Sequence, residues 1–293
     1  MLFRRELVRL LLIPLAGVLA ASTAASAQDW CGNCQYNGTL FRWGCAPEVT
    51  GGPKRDEPLV TDRPDFTEAS VTVGVGVVQV ETGYTYFYDS GPGGTLREHS
   101  FPEALFRIGF YDDWLEFRIA QNIGWSDNGV TTVSGASDTY LGFKLALTPQ
   151  AGILPEMALV PQMTVPTGAP AFTDNQVLPG INWLYGWEVN EFLAWGGSTQ
   201  YNRRVDGTTG DGYTEWAQSF TINYTLTEKL GAYTEWFAFF PNSADTEVAQ
   251  HYLDGGLTYK QTDNIQWDIR GGVGLSDSAA DYFVGIGLSM RFL

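Results

Sequence analysis

The charged residues that could do chemistry in this chain fall on alternate positions between mostly apolar neighbours. Glu81, Glu103, Glu116, Glu235, Asp254 and Asp268 are matched by Arg107, Arg118, Lys144, Arg270 and Arg291. Strand side chains alternate between faces, so these groups would share one face of a sheet while Val, Ile, Leu and aromatics take the other. Charges on an enclosed face are tolerable only when paired or solvated. Two readings are open: a structural ladder of ion pairs, or a polar constriction that selects solutes. Strand adjacency groups Glu235, Asp254, Asp268 and Arg270 into one expected network and brings Arg291 toward Glu81.

Aromatic residues join the same face. Phe87, Phe237, Phe239, Tyr252 and Phe283 have the parity of the charges and stand at the ends of their segments. Together they would line an outer mouth suited to a small hydrophobic or aromatic solute. The alternative is plain filling, since eight-stranded barrels are just filled by side chains and sixteen-stranded ones leave a channel.

Other chemistry finds little support. The histidines are His99, in an expected outer loop, and His251, at the head of a strand on the outward face. No Ser-bearing catalytic motif stands near His251, so no hydrolase triad is expected. Gly74-Val75-Gly76 lacks the strand-to-helix setting of a nucleotide loop. Cys31, Cys34 and Cys45 lie close together after the leader, where an exported chain favours a disulfide with one thiol left over. No cofactor, catalytic residue or metal is expected.

The elements that must position these groups are strands. In the last run, Tyr282, Val284, Ile286, Leu288, Met290 and Phe292 alternate with Phe283, Gly285, Gly287, Ser289 and Arg291. Comparable runs recur along the chain, each near the ~10 residues of a tilted membrane strand. One of them, near 156–165, carries Pro161, a residue usually confined to edges or bulges. Short turns are expected near 112–114, 148–155, 189–191, 225–229 and 260–264. Long polar loops are expected near 89–102, 124–138, 166–179, 202–212, 241–250 and 274–281. This alternation predicts an all-β fold, a transmembrane antiparallel β-barrel of about 12 strands with short turns in the periplasm.

The ends and the composition agree. Arg4, Arg5 and Arg9, the apolar Leu10 to Ala21 and the small residues Ala25-Ser26-Ala27 read as a cleavable signal peptide over 1–27. Its removal leaves 14 basic and 32 acidic residues, a net charge of −18 that argues against nucleic-acid binding. A 14% aromatic content with 34 Gly suits a barrel with aromatic girdles. The expected organisation is signal peptide 1–27, an irregular segment 28–68 that is periplasmic or plug-like, and a barrel over 69–293. The expected place is the bacterial outer membrane. Its expected partners are outer-membrane lipid, the barrel assembly machinery and a small-molecule solute.

Thr61-Asp62-Arg63-Pro64-Asp65-Phe66-Thr67-Glu68, just before the first strand, resembles the N-terminal motif of a bacterial family. That family comprises outer-membrane transporters named for the meta-cleavage pathway of phenol degradation. Gly231-Ala232-Tyr233-Thr234-Glu235-Trp236, Leu253-Asp254-Gly255-Gly256-Leu257-Thr258-Tyr259 and the closing Tyr282 to Leu288 are similar to it as well. The resemblance spans about 59–293 and implies passive transport of aromatic compounds. Two features depart from the pattern. The chain ends Phe292-Leu293 instead of on the aromatic, and the cysteine-bearing 28–58 have no counterpart. The expected function is a passive channel for small solutes, plausibly hydrophobic or aromatic. The alternatives are a structural or adhesive barrel with a filled lumen and, more remotely, a surface hydrolase.

Overall fold

Alternating runs that are apolar on one face can pack as two stacked sheets or close into one barrel, and here they close on themselves. The computed structural model describes residues 38–41, 52–53, 55–91 and 94–293. The expected signal peptide and all three cysteines lie outside the described residues. The strands are β1 (Val78–Gly91), β2 (Gly94–Gly109), β3 (Leu115–Asp127), β4 (Thr132–Ala136), β5 (Thr139–Thr148), β6 (Glu156–Val165) and β7 (Leu178–Asn190). They continue with β8 (Leu193–Val205), β9 (Gly212–Thr225), β10 (Leu230–Asn242), β11 (Gln250–Thr262), β12 (Ile265–Gly274) and β13 (Tyr282–Phe292).

Each strand pairs antiparallel with its neighbour, and β13 returns to β1 through pairs from Val78–Phe292 to Tyr88–Tyr282. This makes a closed antiparallel barrel of 12 strands with one extra strand. The extra one is β4, which pairs with the outer half of β3 while β5 pairs with its inner half. The chain breaks between them at Ser137–Asp138, so β4 and β5 together form one interrupted stave. Pro161 sits inside β6, and the β5–β6 ladder skips the positions beside it, between the Gly142–Gln162 and Leu145–Leu159 pairs. The missing proline N–H is thus accommodated by a local gap in an otherwise continuous wall.

Ile181, Trp183, Trp195, Trp216, Phe220, Trp267 and Ile286 are all exposed outward, as a lipid-facing band requires. The inward face is polar and buried: Gln79, Glu81, Arg107, Glu116, Arg118, Lys144, Glu235, Asp254, Asp268 and Arg291. One expectation needs correction. Much of three expected long outer loops belongs to hairpin strands: β1 and β2 continue to Gly91 and from Gly94, β3 continues to Asp127 beside β4, and β8 and β9 continue to Val205 and from Gly212. Above the lipid the backbone ladder continues but one face need no longer be apolar. The alternation therefore fades before the strand does, as at Arg97-Glu98-His99.

Candidate functional site

Residues 59–75 run along the inward faces of the strands, and nearly every charge expected in the lumen meets them. On the wall formed by β2, β3 and β5, three buried cations converge on Asp62. Arg118 Nη2 is 2.9 Å from Oδ2, Lys144 Nζ 2.7 Å from Oδ1, and Arg107 Nε 3.3 Å from Oδ2. Arg107 also pairs with Glu116 at 2.8 Å and Glu81 at 3.0 Å, and Arg118 with Glu68 at 2.5 Å. Glu81 in turn accepts the N–H groups of Asp62 and Arg63. Charges this deep are stable only with their partners in place.

Arg63 crosses to the next group. Its guanidinium bonds Glu103 at 2.8 Å and Asp268 at 3.4 Å. It lies over Gly83 and Gly287, which are register partners on β1 and β13, and a Cβ at either would collide with it. Arg270 donates to the Pro64 carbonyl at 3.0 Å and to Thr85 Oγ1 at 2.8 Å, with Glu103 at 3.9 Å. Arg291 sits at the opposite end, holding the Glu57 carbonyl and Asn264 Oδ1, each at 2.8 Å.

The expected single network of Glu235, Asp254, Asp268 and Arg270 divides in two. Asp268 and Arg270 are joined through Arg63 and Glu103, whereas Asp254 and Arg270 make no ion pair with each other. Glu235 and Asp254 are cross-strand partners on β10 and β11. Glu235 receives the N–H of Phe66 at 2.5 Å and of Thr67 at 2.8 Å, together with the Thr67 hydroxyl. Asp254 accepts the Tyr233 hydroxyl at 2.7 Å.

The five aromatic residues expected at the mouth do meet. Phe237 stacks on Tyr252 at 4.9 Å between centroids, and Phe87 tilts on Phe283 at 5.4 Å. Phe239 meets Phe237 edge-on, and Phe283 lies 6.2 Å from both Phe237 and Tyr252. Gly272, opposite Phe283, leaves the space its ring occupies. The group is closed: Phe283 is 2% and Tyr252 7% exposed, and Ala279 and Ala280 of the β12–β13 connection pack against it. An additional ring completes it. Phe66 stacks on Phe237 at 4.8 Å and 12°, and meets Phe239 edge-on at 5.3 Å.

Phe66, Asp62, Arg63 and Thr67 are the site residues that sequence reasoning missed, although their motif was noticed. The signal was present in the inward glycines. Gly83 and Gly287 leave a slot in an otherwise filled face, and the alternating charges of 62–68 match the wall beyond it.

Open space lies on both sides of the segment. A cavity of about 850 Å³ is lined by Arg63, Asp65, Thr67, Thr221, Tyr233 and the β7–β8 and β9–β10 turns. A smaller one of about 180 Å³ lies at the other end, among Arg204, Tyr213, Glu215, Phe239, Pro241, Glu247, Val248 and Gln250. The histidines belong to the outward face. His99 Nδ1 is 2.7 Å from the Tyr84 hydroxyl and its ring packs on Trp125, while His251 packs on Trp236 and Phe240.

The family described as "Putative MetA-pathway of phenol degradation" matches residues 61–292. Among solved structures, the COG4313 outer membrane channel from Pseudomonas putida F1 is similar at TM-score 0.60 and 12% identity. The match covers 78% of this chain and 99% of that one. The NanC porin (TM-score 0.47, 13% identity, 73% and 98% covered) and the KdgM porin (0.45, 10%, 73% and 99%) are more distant. No curated protein matches the chain.

Proposed function

The chain belongs to that phenol-degradation family, and we propose that it is an outer-membrane channel for small hydrophobic or aromatic solutes, gated by its own residues 59–75. The observation that carries this reading is the pair of cavities, about 180 and 850 Å³, with Phe66 and its neighbours standing between them. In this reading the passage between the two cavities opens when Phe66 and its neighbours move. A segment joined to the wall by hydrogen bonds and ion pairs can leave without breaking the barrel. The step is diffusion down a gradient; what the residues supply is a polar wall, a ring-lined passage and an occluding strand of chain.

The density of ion pairs around Asp62 favours a second reading, a barrel kept permanently filled. Planar-bilayer recordings separate the two. The refolded mature chain should give small, infrequent conductance steps, and deletion of residues 59–68 should give larger and more frequent ones that phenol interrupts. Silence from both proteins, each shown to be folded by heat-modifiable migration on gels, would sink the channel and leave the filled barrel.

A further inference from the structure

Phe66 is held as a ligand would be held. Its ring lies stacked on Phe237 and edge-on to Phe239, while its N–H donates to Glu235 Oε2. The surroundings are two layers set by the pleat. On β10, Phe239, Phe237 and Glu235 follow one another down the inward face, and the register places Tyr252 beside Phe237 and Asp254 beside Glu235. Rings thus stand above carboxylates. Asp254 is only 5% exposed; beside the Tyr233 hydroxyl it meets the Glu235 carboxyl, and its Oδ1 takes no N–H or alcohol donor from the described residues. A buried carboxylate oxygen without a donor is costly. It marks a place where a donor from outside the chain would gain more than it loses.

We infer that Phe66 is a resident surrogate for the solute, and that the site beneath the mouth takes one aromatic ring bearing an O–H or N–H donor. Phenols and aromatic amines fit; aromatic carboxylates do not. A phenol can put its ring where the Phe66 ring lies and its hydroxyl on Glu235 or on the free oxygen of Asp254. A benzoate would bring a further carboxylate toward Glu235 and Asp254, with Asp65 of the segment lining the cavity below. The cation nearby, Arg270 on β12, gives its two Nη atoms to the Pro64 carbonyl and Thr85 and lies 5.5 Å over the Phe283 ring; its Nε alone has no hydrogen-bond partner among the described residues, one donor set against three carboxylates.

The approach has matching dimensions. The outer cavity of about 180 Å³ touches Phe239, and an apolar cavity of about 150 Å³ holds one benzene. One ring has room there. This inference rests on the channel reading above, and it adds the solute's chemistry and the competition with Phe66.

The test uses the refolded full mature chain in micelles, with 4-fluorophenol and 4-fluorobenzoate followed by fluorine NMR. Phe66→Ala removes the competitor, so 4-fluorophenol should bind about tenfold more tightly, the equivalent of losing one favourable aromatic stack and its contacts. Fluorobenzoate should gain nothing. Adding Glu235→Gln together with Asp254→Asn should abolish the difference between the two probes. Phe66→Leu, which keeps apolar volume without a ring, guards against a folding artefact and should give part of the gain. Unchanged fluorophenol binding in Phe66→Ala, or equal gains for both probes, would overturn the inference. Proteoliposome uptake separates the layers. Solute that crosses without tighter binding leaves the channel and removes the surrogate; tighter binding without crossing does the reverse.

Discussion

The two walls of the lumen hold one short segment by opposite means. On the side of β2, β3 and β5, the buried Arg107, Arg118 and Lys144 surround Asp62. On the side of β10 and β11 no cation takes part. Glu235 accepts backbone N–H groups, and Phe237 and Phe239 receive a ring. The first set of contacts can be made only by a carboxylate at that point. The second can be made by any molecule that offers a ring and a donor. An anchor and an exchangeable contact therefore lie only a few residues apart, at Asp62 and Phe66, and a segment so built can yield at one side while staying tethered at the other.

The largest expected effect tests the anchor. Asp62→Ala leaves three buried cations sharing Glu68, Glu81 and Glu116, and removing one partner of a buried charged cluster costs about 3–5 kcal/mol. Phe66→Ala forfeits about 0.5–1.5 kcal/mol of ring contact beyond the area it uncovers. Guanidinium midpoints of the two folded variants should fall in that order. A glutamate-specific protease should cut after Glu68 readily in Asp62→Ala and slowly in Phe66→Ala. Equal losses in both would erase the distinction between the two walls.

A smaller effect comes from between the walls, where Arg63 lies across Gly83 and Gly287. Gly83→Val fills the slot and expels the guanidinium from Glu103 and Asp268, with an overpacking cost of about 1–3 kcal/mol. The barrel wall itself tolerates Val at a strand position. Conductance should rise while the migration of the folded protein stays the same. No change in conductance would mean that Arg63 does not help hold the segment in place.

How much of this could be read beforehand follows from what periodicity encodes. Alternation told wall from lumen, so Phe87, Phe237, Phe239, Tyr252 and Phe283 could be expected to meet, and they do. Which charge pairs with which could not be read. Asp268 and Arg270 lie on one strand face, yet they are connected through Arg63, more than 200 residues earlier in the chain. Residues 59–75 have no period because their contacts are spread over several strands. The long hairpins above the lipid also escaped, since their ladder needs only backbone groups.

The smallest effect lies outside the membrane, above the ring-bearing wall. Asp206, in the β8–β9 connection, accepts the N–H groups of Thr208, Thr209, Asp245 and Thr246 and the Thr246 hydroxyl at 2.7 Å. The hydroxyl and N–H of Thr246 contribute most, and together these bonds hold the carboxyl well below its usual 3.8. A carboxyl lowered in the folded state stabilises above its unfolded value, and that support is lost as pH falls through the folded one. The clasp between the two outer hairpins should therefore be unchanged from neutrality down to about pH 4 and loosen only in stronger acid. Exchange of the Thr246 amide reports it directly. Wild type should be protected at about pH 5 and less so at about pH 3, while Asp206→Asn should exchange faster at both with little difference between them. Because the clasp joins the β8–β9 connection to the β10–β11 connection and has no contact with Asp62, its loosening should ease access to Phe239 and leave the anchor intact. Exchange of the Asp62 and Arg63 amides that rose in acid in wild type and was already fast at about pH 5 in Asp206→Asn would show that the outer hairpins control the anchor as well, and the two walls would have to be treated as one device.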